Sequence, residues 1–239
     1  MSKRAKAIRH VGPREGYDRW ADTYDETPNP VIRMDDRHTW RILAPRPAER
    51  ILDAGCGTGR HFGALLAAGS RPVGVDFASG MLRIARRRFP QVPLAVADLQ
   101  RPLPVKDRCT DAVLCSLVGE HLGDLQTAFQ GMYDVLRPGG RLVFSVYHPE
   151  MAAAGIEANF QEHGVEFRLG AYRHTVRDYS DALEAVGFVG IRAHEFLGDE
   201  ELAATLPKAR KYLGFPMLLV LEVTKPGNMN GGIKARVSR

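Results

Sequence analysis

The chain has 239 residues, of which 44% are hydrophobic, 26% charged and 8% aromatic, and this composition is typical of a globular protein with a sizeable core. Its apolar runs are far shorter than the roughly 20 residues that a membrane-spanning helix needs, and no apolar run follows the basic N-terminus as it would in a secretory signal. We therefore expect a cytoplasmic protein without a membrane partner. Three cysteines without Cys-x-x-Cys spacing indicate neither a disulfide framework nor a zinc site.

The net charge of +5 comes from the two ends of the chain. Residues 1–10 carry four cations and residues 227–239 carry three, while neither segment holds an acid, so removing these seven cations leaves −2 for residues 11–226. Nucleic-acid binding by composition would need a basic body, and nucleic acid is therefore not an expected partner. We predict a flexible basic tail over residues 1–13, a single domain over 14–226 and a disordered tail over 227–239.

Short apolar runs alternate with longer stretches of helical period, which is the α/β pattern. The predicted strands cover residues 50–54, 72–76, 94–98, 111–116, 141–147, 189–196 and 217–224. Several runs do not alternate apolar with polar residues, as expected of strands that are covered on both faces of a parallel sheet. Residues 14–48, with aromatic residues at helix-like spacings, predict a helical cap, and residues 149–172 are too long for a simple connection. We interpret the latter as an inserted segment that covers a substrate.

The most informative segment is 53–59, which reads Asp-Ala-Gly-Cys-Gly-Thr-Gly between a predicted strand and a predicted helix. Glycines let backbone approach a ligand closely, and a helix start offers unpaired N–H groups. A dinucleotide fingerprint would need Gly or Ala where Arg60 stands, so the spacing argues against NAD. Asp76 and Asp98 end the next two predicted strands, where an acid can bind ribose hydroxyls. Each acid alone could cap the following helix, but all three acids with the glycine loop favour a nucleoside cleft.

With further motifs, these residues resemble the class I S-adenosylmethionine-dependent methyltransferases of the small-molecule type, akin to those of ubiquinone and menaquinone biosynthesis. The resemblance spans residues 17–224 and rests on segments 53–59, 75–81, 97–99, 111–121, 136–142 and 185–188. It implies a doubly wound, mostly parallel, seven-stranded Rossmann-like sheet in the order 3-2-1-4-5-7-6, with strand 7 antiparallel. It also implies S-adenosylmethionine as the cofactor, S-adenosylhomocysteine as its product, and no metal.

The resemblance further implies a place for each cofactor-binding residue. It puts Gly55 and Gly57 against the methionine portion of the cofactor and Asp76 at the ribose hydroxyls. Around the adenine it puts Phe77 and Met81 beside the ring, Asp98 at the amino group and the Leu99 backbone at a ring nitrogen. Tyr17 and Tyr24 would lie over the ligand, Asp53 at the start of the glycine motif and Cys115 in the wall of the site. Residues 115–118, Cys-Ser-Leu-Val, depart from the Asn/Asp-Pro-Pro-aromatic motif that orients a nucleobase or glutamine nitrogen. That departure argues against such substrates.

A sulfonium already activates its methyl group, so the protein mainly has to hold an acceptor lone pair in line and exclude water. A general base helps phenols, thiols and ammonium groups but not carboxylates. The candidates at the carboxyl ends of strands 4 and 5 are Glu120, His121, Tyr147, His148 and Glu150. We predict His148 as the base, because histidines as a class titrate near neutrality and Pro149 holds it extended. A hydrogen bond to a loop carbonyl is the alternative, and His121 and Tyr147 complete the predicted catalytic set.

We therefore expect an enzyme that transfers a methyl group from S-adenosylmethionine to O or N of a small, partly aromatic or amphipathic metabolite by direct in-line displacement. One alternative is a methyltransferase that acts on RNA or on a carrier-bound acyl carboxylate. The other is an S-adenosylmethionine-binding protein with non-methylating or no activity, because a fold does not fix a reaction. The expected assembly is a monomer or a homodimer.

Overall fold

The computed structural model describes residues 7–228. Its strands are β1 (Ala7–His10), β2 (Arg50–Ala54), β3 (Arg71–Asp76), β4 (Leu94–Val96), β5 (Thr110–Ser116), β6 (Leu136–Tyr147), β7 (Asn159–Glu162), β8 (Val165–Arg168), β9 (Val189–Leu197) and β10 (Pro216–Thr224). Its α-helices are α1 (Pro13–Trp20), α2 (Pro30–Leu43), α3 (Phe62–Ala67), α4 (Ser79–Arg88), α5 (Leu125–Val135), α6 (Pro149–Ala153), α7 (Val176–Val186) and α8 (Glu200–Thr205). Short 3-10 helices cover Tyr24–Glu26, Gly119–His121 and Pro207–Tyr212.

The main sheet has seven strands in the order β4-β3-β2-β5-β6-β10-β9. Strands β2 to β6 pair in parallel, whereas β10 is antiparallel to both of its neighbours, β6 and β9. When these strands alone are numbered along the chain, the order is 3-2-1-4-5-7-6, as predicted. The carboxyl ends of the parallel strands therefore meet at one edge of the sheet, which is where ligands bind in open α/β folds.

The strand limits differ most from the prediction in β4 and β6. Strand β4 ends at Val96, two residues early, so the predicted strand end at Asp98 lies in the loop. Strand β6 begins at Leu136, five residues early, because Leu136 already pairs with Thr110 of β5 before a register shift. Gly139 lies in this shifted stretch with φ +79°, a left-handed conformation that favours glycine.

Helices cover the sheet on both faces, and side chains of successive strand residues point to opposite faces. In β2, Leu52 belongs to a core that also contains side chains of α5 and α7. The adjacent Ile51 belongs to the core on the other face, which contains side chains of α2, α3 and α4. Both residues are fully buried. The two cores therefore fix which strand-end side chains can reach the ligand edge.

A second sheet joins a hairpin within the predicted insertion to the start of the described chain. It has the order β1-β8-β7, in which Ala7–His10 runs parallel to β8, and β7 and β8 form an antiparallel hairpin. The prediction of a flexible tail over residues 1–13 is therefore wrong for Ala7–His10, whose backbone is ordered by strand pairing with β8. Residues 1–6 of the predicted N-terminal tail and residues 229–239 of the predicted C-terminal tail lie outside the described residues.

The predicted cap region contains two helices with clear local signals. Asn29 precedes α2, and its side-chain oxygen accepts hydrogen bonds from the N–H groups of Val31 and Ile32, while Pro30 occupies the first helical position. Along residues 7–228, no helix combines the length and the apolar character that crossing a membrane requires.

Candidate active site

A cleft opens at the carboxyl ends of β2, β3, β4 and β5, and we call it the first cavity. It encloses about 660 Å³, its open mouth included. Ten predicted site residues line it: Tyr17, Tyr24, Gly55, Gly57, Asp76, Phe77, Met81, Asp98, Leu99 and His121. Six residues that were not predicted as ligands line it as well: Ala97, Gln100, Ser116, Leu117, Val118 and Leu122. The strand-end acids and the glycine loop thus meet in one place.

The glycine loop has a backbone that favours glycine at two positions along the first cavity. Gly55 and Gly57 have φ values of +84° and +53°. A Cβ atom at Gly55 would lie 2.4 Å from Cγ2 of Val118, whereas a Cβ at Gly57 would meet no protein atom within 4 Å. Because Gly57 lines the cleft, the open space beside it is a cradle that a side chain would fill.

Asp76 ends β3 beside this loop and is 7% exposed. Its two carboxylate oxygens accept hydrogen bonds from the N–H of Gly57 and the N–H of Ala78, each at 2.8 Å. Burial raises the pKa of Asp76 to about 6, although these backbone bonds lower it. A carboxylate has about four lone-pair positions, so Asp76 keeps acceptor capacity for a ligand with two hydroxyls.

Asp53 and Cys115 were predicted in the same set, but neither lines the first cavity. Asp53 is 1% exposed, and neither of its carboxylate oxygens has a partner among the described residues. Burial raises its pKa to about 7, with Asp76 and Asp35 adding to the effect and Arg60 opposing it. Cys115 is fully buried in β5, and burial raises the pKa of its thiol well above the usual value. Both residues lie behind the cleft and can act on it only indirectly.

A buried ionic network ties helix α2 to the glycine loop and to the strand ends. Arg60 donates to Asp35 at 2.7 Å and to the hydroxyl of Ser116 at 2.8 Å, and it also pairs with Asp36. Ser116 and Ser145 donate to the two oxygens of Asp35 at 2.6 and 2.5 Å. Burial would raise the pKa of Asp35, but Arg60, His61 and the two hydroxyls outweigh it and lower the pKa to about 2.

Sequence reasoning missed the role of this network, and a signal for it existed. Asp35 lies four residues after Val31 and next to Met34, so it occupies the apolar face of α2. A charged residue on that face needs a partner. Arg60, which the spacing argument used only to exclude NAD, is that partner.

The segment Gly119–His121 separates the first cavity from a smaller and more enclosed second cavity. The second cavity encloses about 300 Å³ with its open mouth included, and its interior has room for about one water-sized group. The second cavity is lined by Glu120, Tyr147, Pro149, Ala152, Ile156, Glu157, Ala158, Ala171, Tyr172, His174 and Tyr179. It therefore lies between the end of β6 and the segment that was predicted as a covering insertion. Tyr147 reaches this cavity rather than the first, and its hydroxyl accepts a hydrogen bond from Asn29 at 2.6 Å.

Glu120 and His121 face different cavities, although they are adjacent in the chain. His121 lines the first cavity, and its Nε2 lies 3.0 Å from the hydroxyl of Tyr17. Burial lowers the pKa of His121 to about 4, so the ring is neutral at pH 7. Glu120 is 5% exposed, its Oε2 has no partner among the described residues, and burial raises its pKa to about 7.

The structure places His148 outside both cavities. Its Nδ1 accepts a hydrogen bond from the N–H of Glu150 at 3.2 Å, which caps α6, and its Nε2 lies 3.1 Å from Oε2 of Glu195. With Nδ1 as an acceptor, the ring proton is on Nε2 and is shared with Glu195. Both ring nitrogens are thus engaged, and the hypothesis that His148 faces an acceptor loses its geometric support.

The sequence matches a family model described as a methyltransferase domain over residues 52–144, which contains the glycine loop, Asp76, Asp98 and Glu120. It is 31% identical over 199 residues to a demethylmenaquinone methyltransferase of Streptomyces avermitilis, covering 81% of this chain and 83% of that protein. The chain belongs to the class I S-adenosylmethionine-dependent methyltransferases.

Other relatives of this methyltransferase differ in the acceptors that their names state. A malonyl-[acyl-carrier protein] O-methyltransferase of Yersinia pestis is 30% identical over 145 residues, which covers 61% of this chain and 51% of that protein. Among solved structures, an S-adenosylmethionine-dependent methyltransferase of Mesorhizobium loti superposes with a TM-score of 0.68 at 23% identity, covering 80% of this chain and 97% of the other.

The [4+2]-cyclase SpnF superposes equally well, with a TM-score of 0.67 at 17% identity, covering 92% of this chain and 99% of the other. At such identities these superpositions establish the fold alone. This methyltransferase therefore shares its fold with proteins of more than one reaction class, and its acceptor has to be argued from its own cavities.

Proposed function

We propose that this methyltransferase binds S-adenosylmethionine in the first cavity and transfers its methyl group to a small acceptor whose reacting group enters the second cavity. The observation that carries the proposal is the meeting of Asp76, at the end of β3, with the open cradle beside Gly57. A carboxylate with free acceptor capacity suits a ribose diol, and a glycine without neighbours leaves room for the methionine portion. Asp98 and Leu99 line the same cleft on the far side of Asp76 and suit the adenine.

S-adenosylmethionine supplies a methyl group that its sulfonium already activates. The protein's part is to hold both ligands and to exclude water. Tyr17 and Tyr24 line the first cavity from the N-terminal region and form an edge-to-face pair with ring centroids 6.1 Å apart. We assign them the role of closing the cleft over the cofactor, which makes residues 14–48 a cap in function as well as in position.

The acceptor is proposed to be small because the second cavity is small and enclosed. The acidic and aromatic lining of that cavity also does not suit an anionic acyl carboxylate. An RNA acceptor would need a basic surface, whereas residues 11–226 carry a net charge of −2. The protein is thus proposed to methylate a small metabolite, and residues 149–172 are proposed to cover it.

Calorimetry with S-adenosylhomocysteine tests the cofactor assignment. Asp76→Asn keeps the size of the side chain but removes its charge and one acceptor, and we expect about a ten- to hundredfold loss of affinity, which corresponds to about 1.5–3 kcal/mol. Asp107→Asn makes the same chemical change at an exposed position outside both cavities and should leave affinity unchanged. Equal affinities for the wild type and Asp76→Asn would reject this binding mode.

A further inference from the structure

The second cavity contains an acid whose charge no other part of the described structure balances. Glu120 is only 5% exposed, and its Oε2 has no hydrogen-bond partner among residues 7–228. Its backbone is held in place, because its carbonyl oxygen accepts the N–H of Tyr172 at 2.8 Å. A buried carboxyl group without a partner costs stability, so its presence beside a cavity points to a ligand.

The groups that interact with Glu120 are acids, phenols and the neutral ring of His121. His121 is the nearest, with its Nε2 4.0 Å from Oε1 of Glu120. The other titratable groups whose charges interact with that of Glu120 are Tyr17 of α1, Tyr24, Asp35 of α2, Tyr147 of β6 and Tyr179 of α7. Cys115 of β5 also lies close enough for Glu120 to raise the pKa of its thiol, after burial and Asp53. Of the lining residues of the second cavity, none is Lys or Arg. Among residues 7–228, the lining of this cavity therefore offers no lysine or arginine to pair with this carboxyl group.

The other acid of the second cavity is already paired. Glu157 lies 3.7 Å from a guanidinium nitrogen of Arg168 in β8. Glu120 is thus the carboxyl group that a ligand can use. The rings of Tyr147, Tyr172 and Tyr179 form much of the remaining wall. Aromatic faces together with a carboxylate are the groups that bind an ammonium ion in proteins.

We propose that the second cavity binds the ammonium group of an amine acceptor and that Glu120 is the catalytic residue that removes its proton. This inference rests on the proposed function and narrows the acceptor atom to nitrogen. The other titratable ring of this cavity, His174, is held by a backbone contact, because its Nε2 donates to the carbonyl oxygen of Leu122 at 2.7 Å and so cannot accept a proton from a ligand at that atom.

The proton and electron balance is simple. The Glu120 carboxylate takes one N–H proton, and the electrons of that N–H bond become the nitrogen lone pair. The lone pair forms the new N–CH₃ bond, while the electrons of the S–CH₃ bond stay on sulfur and give a neutral thioether. The positive charge moves from sulfur to the methylated nitrogen, and Glu120 returns its proton to water as product leaves. Burial holds the pKa of Glu120 at about 7, which suits a group that gains and loses a proton near neutrality.

Three probes of similar size test the proposal: benzylamine, phenol and benzoate, each titrated by calorimetry into protein that is saturated with S-adenosylhomocysteine. We expect benzylamine to bind, phenol to bind less tightly and benzoate to give no measurable binding. Glu120→Gln should weaken benzylamine at least tenfold. Glu184→Gln makes the same chemical change at an exposed position outside both cavities and should leave benzylamine affinity unchanged.

The pH dependence separates a charge from a merely structural contact. Benzylamine affinity should rise between pH 6 and 8 in the wild type, as Glu120 ionises, and should be flat over that range in Glu120→Gln. Thermal unfolding of both variants checks that they fold. Three results would each overturn the amine assignment. They are a lack of benzylamine binding, tighter binding of phenol or benzoate than of benzylamine, and a benzylamine affinity that is unchanged in Glu120→Gln. S-adenosylhomocysteine binding is measured in the same samples. If S-adenosylhomocysteine binds and benzylamine does not, the amine assignment fails while the proposed cofactor site stands.

Discussion

The two cavities on either side of Gly119–His121 are built from different parts of the polypeptide. The first is built on the ends of parallel strands, where the glycine loop lies and where backbone N–H groups fix Asp76. Side chains from separate segments form the second, including Tyr147 after β6, Tyr172 after the hairpin and Tyr179 of α7. Backbone geometry changes little when side chains are exchanged, whereas a side-chain lining changes with every substitution. This division suits an invariant cofactor on one side and a specific acceptor on the other.

The residues that hold the two cavities in shape differ as well. The Arg60–Asp35 network lies beneath the first cavity and joins α2, β5 and β6 through buried hydrogen bonds. The second cavity is closed in part by Tyr172, which is 55% exposed. We therefore expect variants beneath the first cavity to act mainly on stability, and variants around the second to act mainly on the acceptor.

The largest effect is expected from the support of the first cavity. Asp35→Ala leaves Arg60 buried without its main partner, and removing one partner of a buried pair costs about 3–5 kcal/mol. Urea unfolding measures the change. Asp36→Ala, which removes the other and 43% exposed partner of the same arginine, should cost less than about 1 kcal/mol. Similar costs for the two variants would contradict a special role for Asp35.

A pH-dependent effect of comparable size is expected from Asp53. Its pKa is about 7 in the folded protein against an ordinary 3.8, so the folded state holds this proton more tightly than the unfolded chain. Both states are protonated below pH 4, and the wild type loses stability as pH rises from 4 to 7. Asp53→Asn has no carboxyl group at this position and does not lose stability in this way. The free energy of unfolding of Asp53→Asn, minus that of the wild type, should therefore increase by about 4 kcal/mol between pH 4 and 8.

Unfolding at a series of pH values tests this expectation. The exposed Asp107→Asn provides the control, for which the difference from the wild type should stay constant with pH. A constant difference for Asp53→Asn as well would mean that the Asp53 carboxyl is not held protonated behind the glycine loop.

A smaller effect is expected in the cradle of the first cavity. Gly57→Ala puts a methyl group into the open space, and we expect affinity for S-adenosylhomocysteine to fall about tenfold, or about 1.4 kcal/mol. Gly139→Ala is the matched control, because Gly139 also has a left-handed φ and no neighbour within 4 Å. Both variants carry a similar backbone strain of about 1–2 kcal/mol, but only Gly57→Ala should lose affinity in calorimetry.

The smallest effect is expected at His148. Replacing this N-cap of α6 by alanine should lower the free energy of unfolding by about 1 kcal/mol and leave S-adenosylhomocysteine affinity unchanged. The pH profile of benzylamine binding should also keep its shape. Loss of that profile in His148→Ala, with the profile intact in Glu120→Gln, would restore His148 as the base and remove Glu120.

These regions also differ in how far the sequence predicts them. Strand β2 was predicted to the residue, and the glycine loop follows β2 and Asp76 ends β3 as predicted, because turns and strand ends carry local signals. The pairing of β1 with β8 joins residues far apart in the chain, and no local signal encodes it. The side chain of His148 is fixed by Glu195 of β9, a contact that depends on the alignment of three strands. The unpaired state of Glu120 likewise depends on which residues bury it.

A crystal structure of the protein with S-adenosylhomocysteine tests the central claim most directly. We expect both ribose hydroxyls within hydrogen-bond distance of the Asp76 carboxylate, the methionine portion beside Gly57, and the thioether sulfur on the side of the first cavity that faces Glu120 and the second cavity. A ligand bound elsewhere, or bound in the first cavity with its ribose away from Asp76, would contradict the division between a backbone-built cofactor site and a side-chain-built acceptor site.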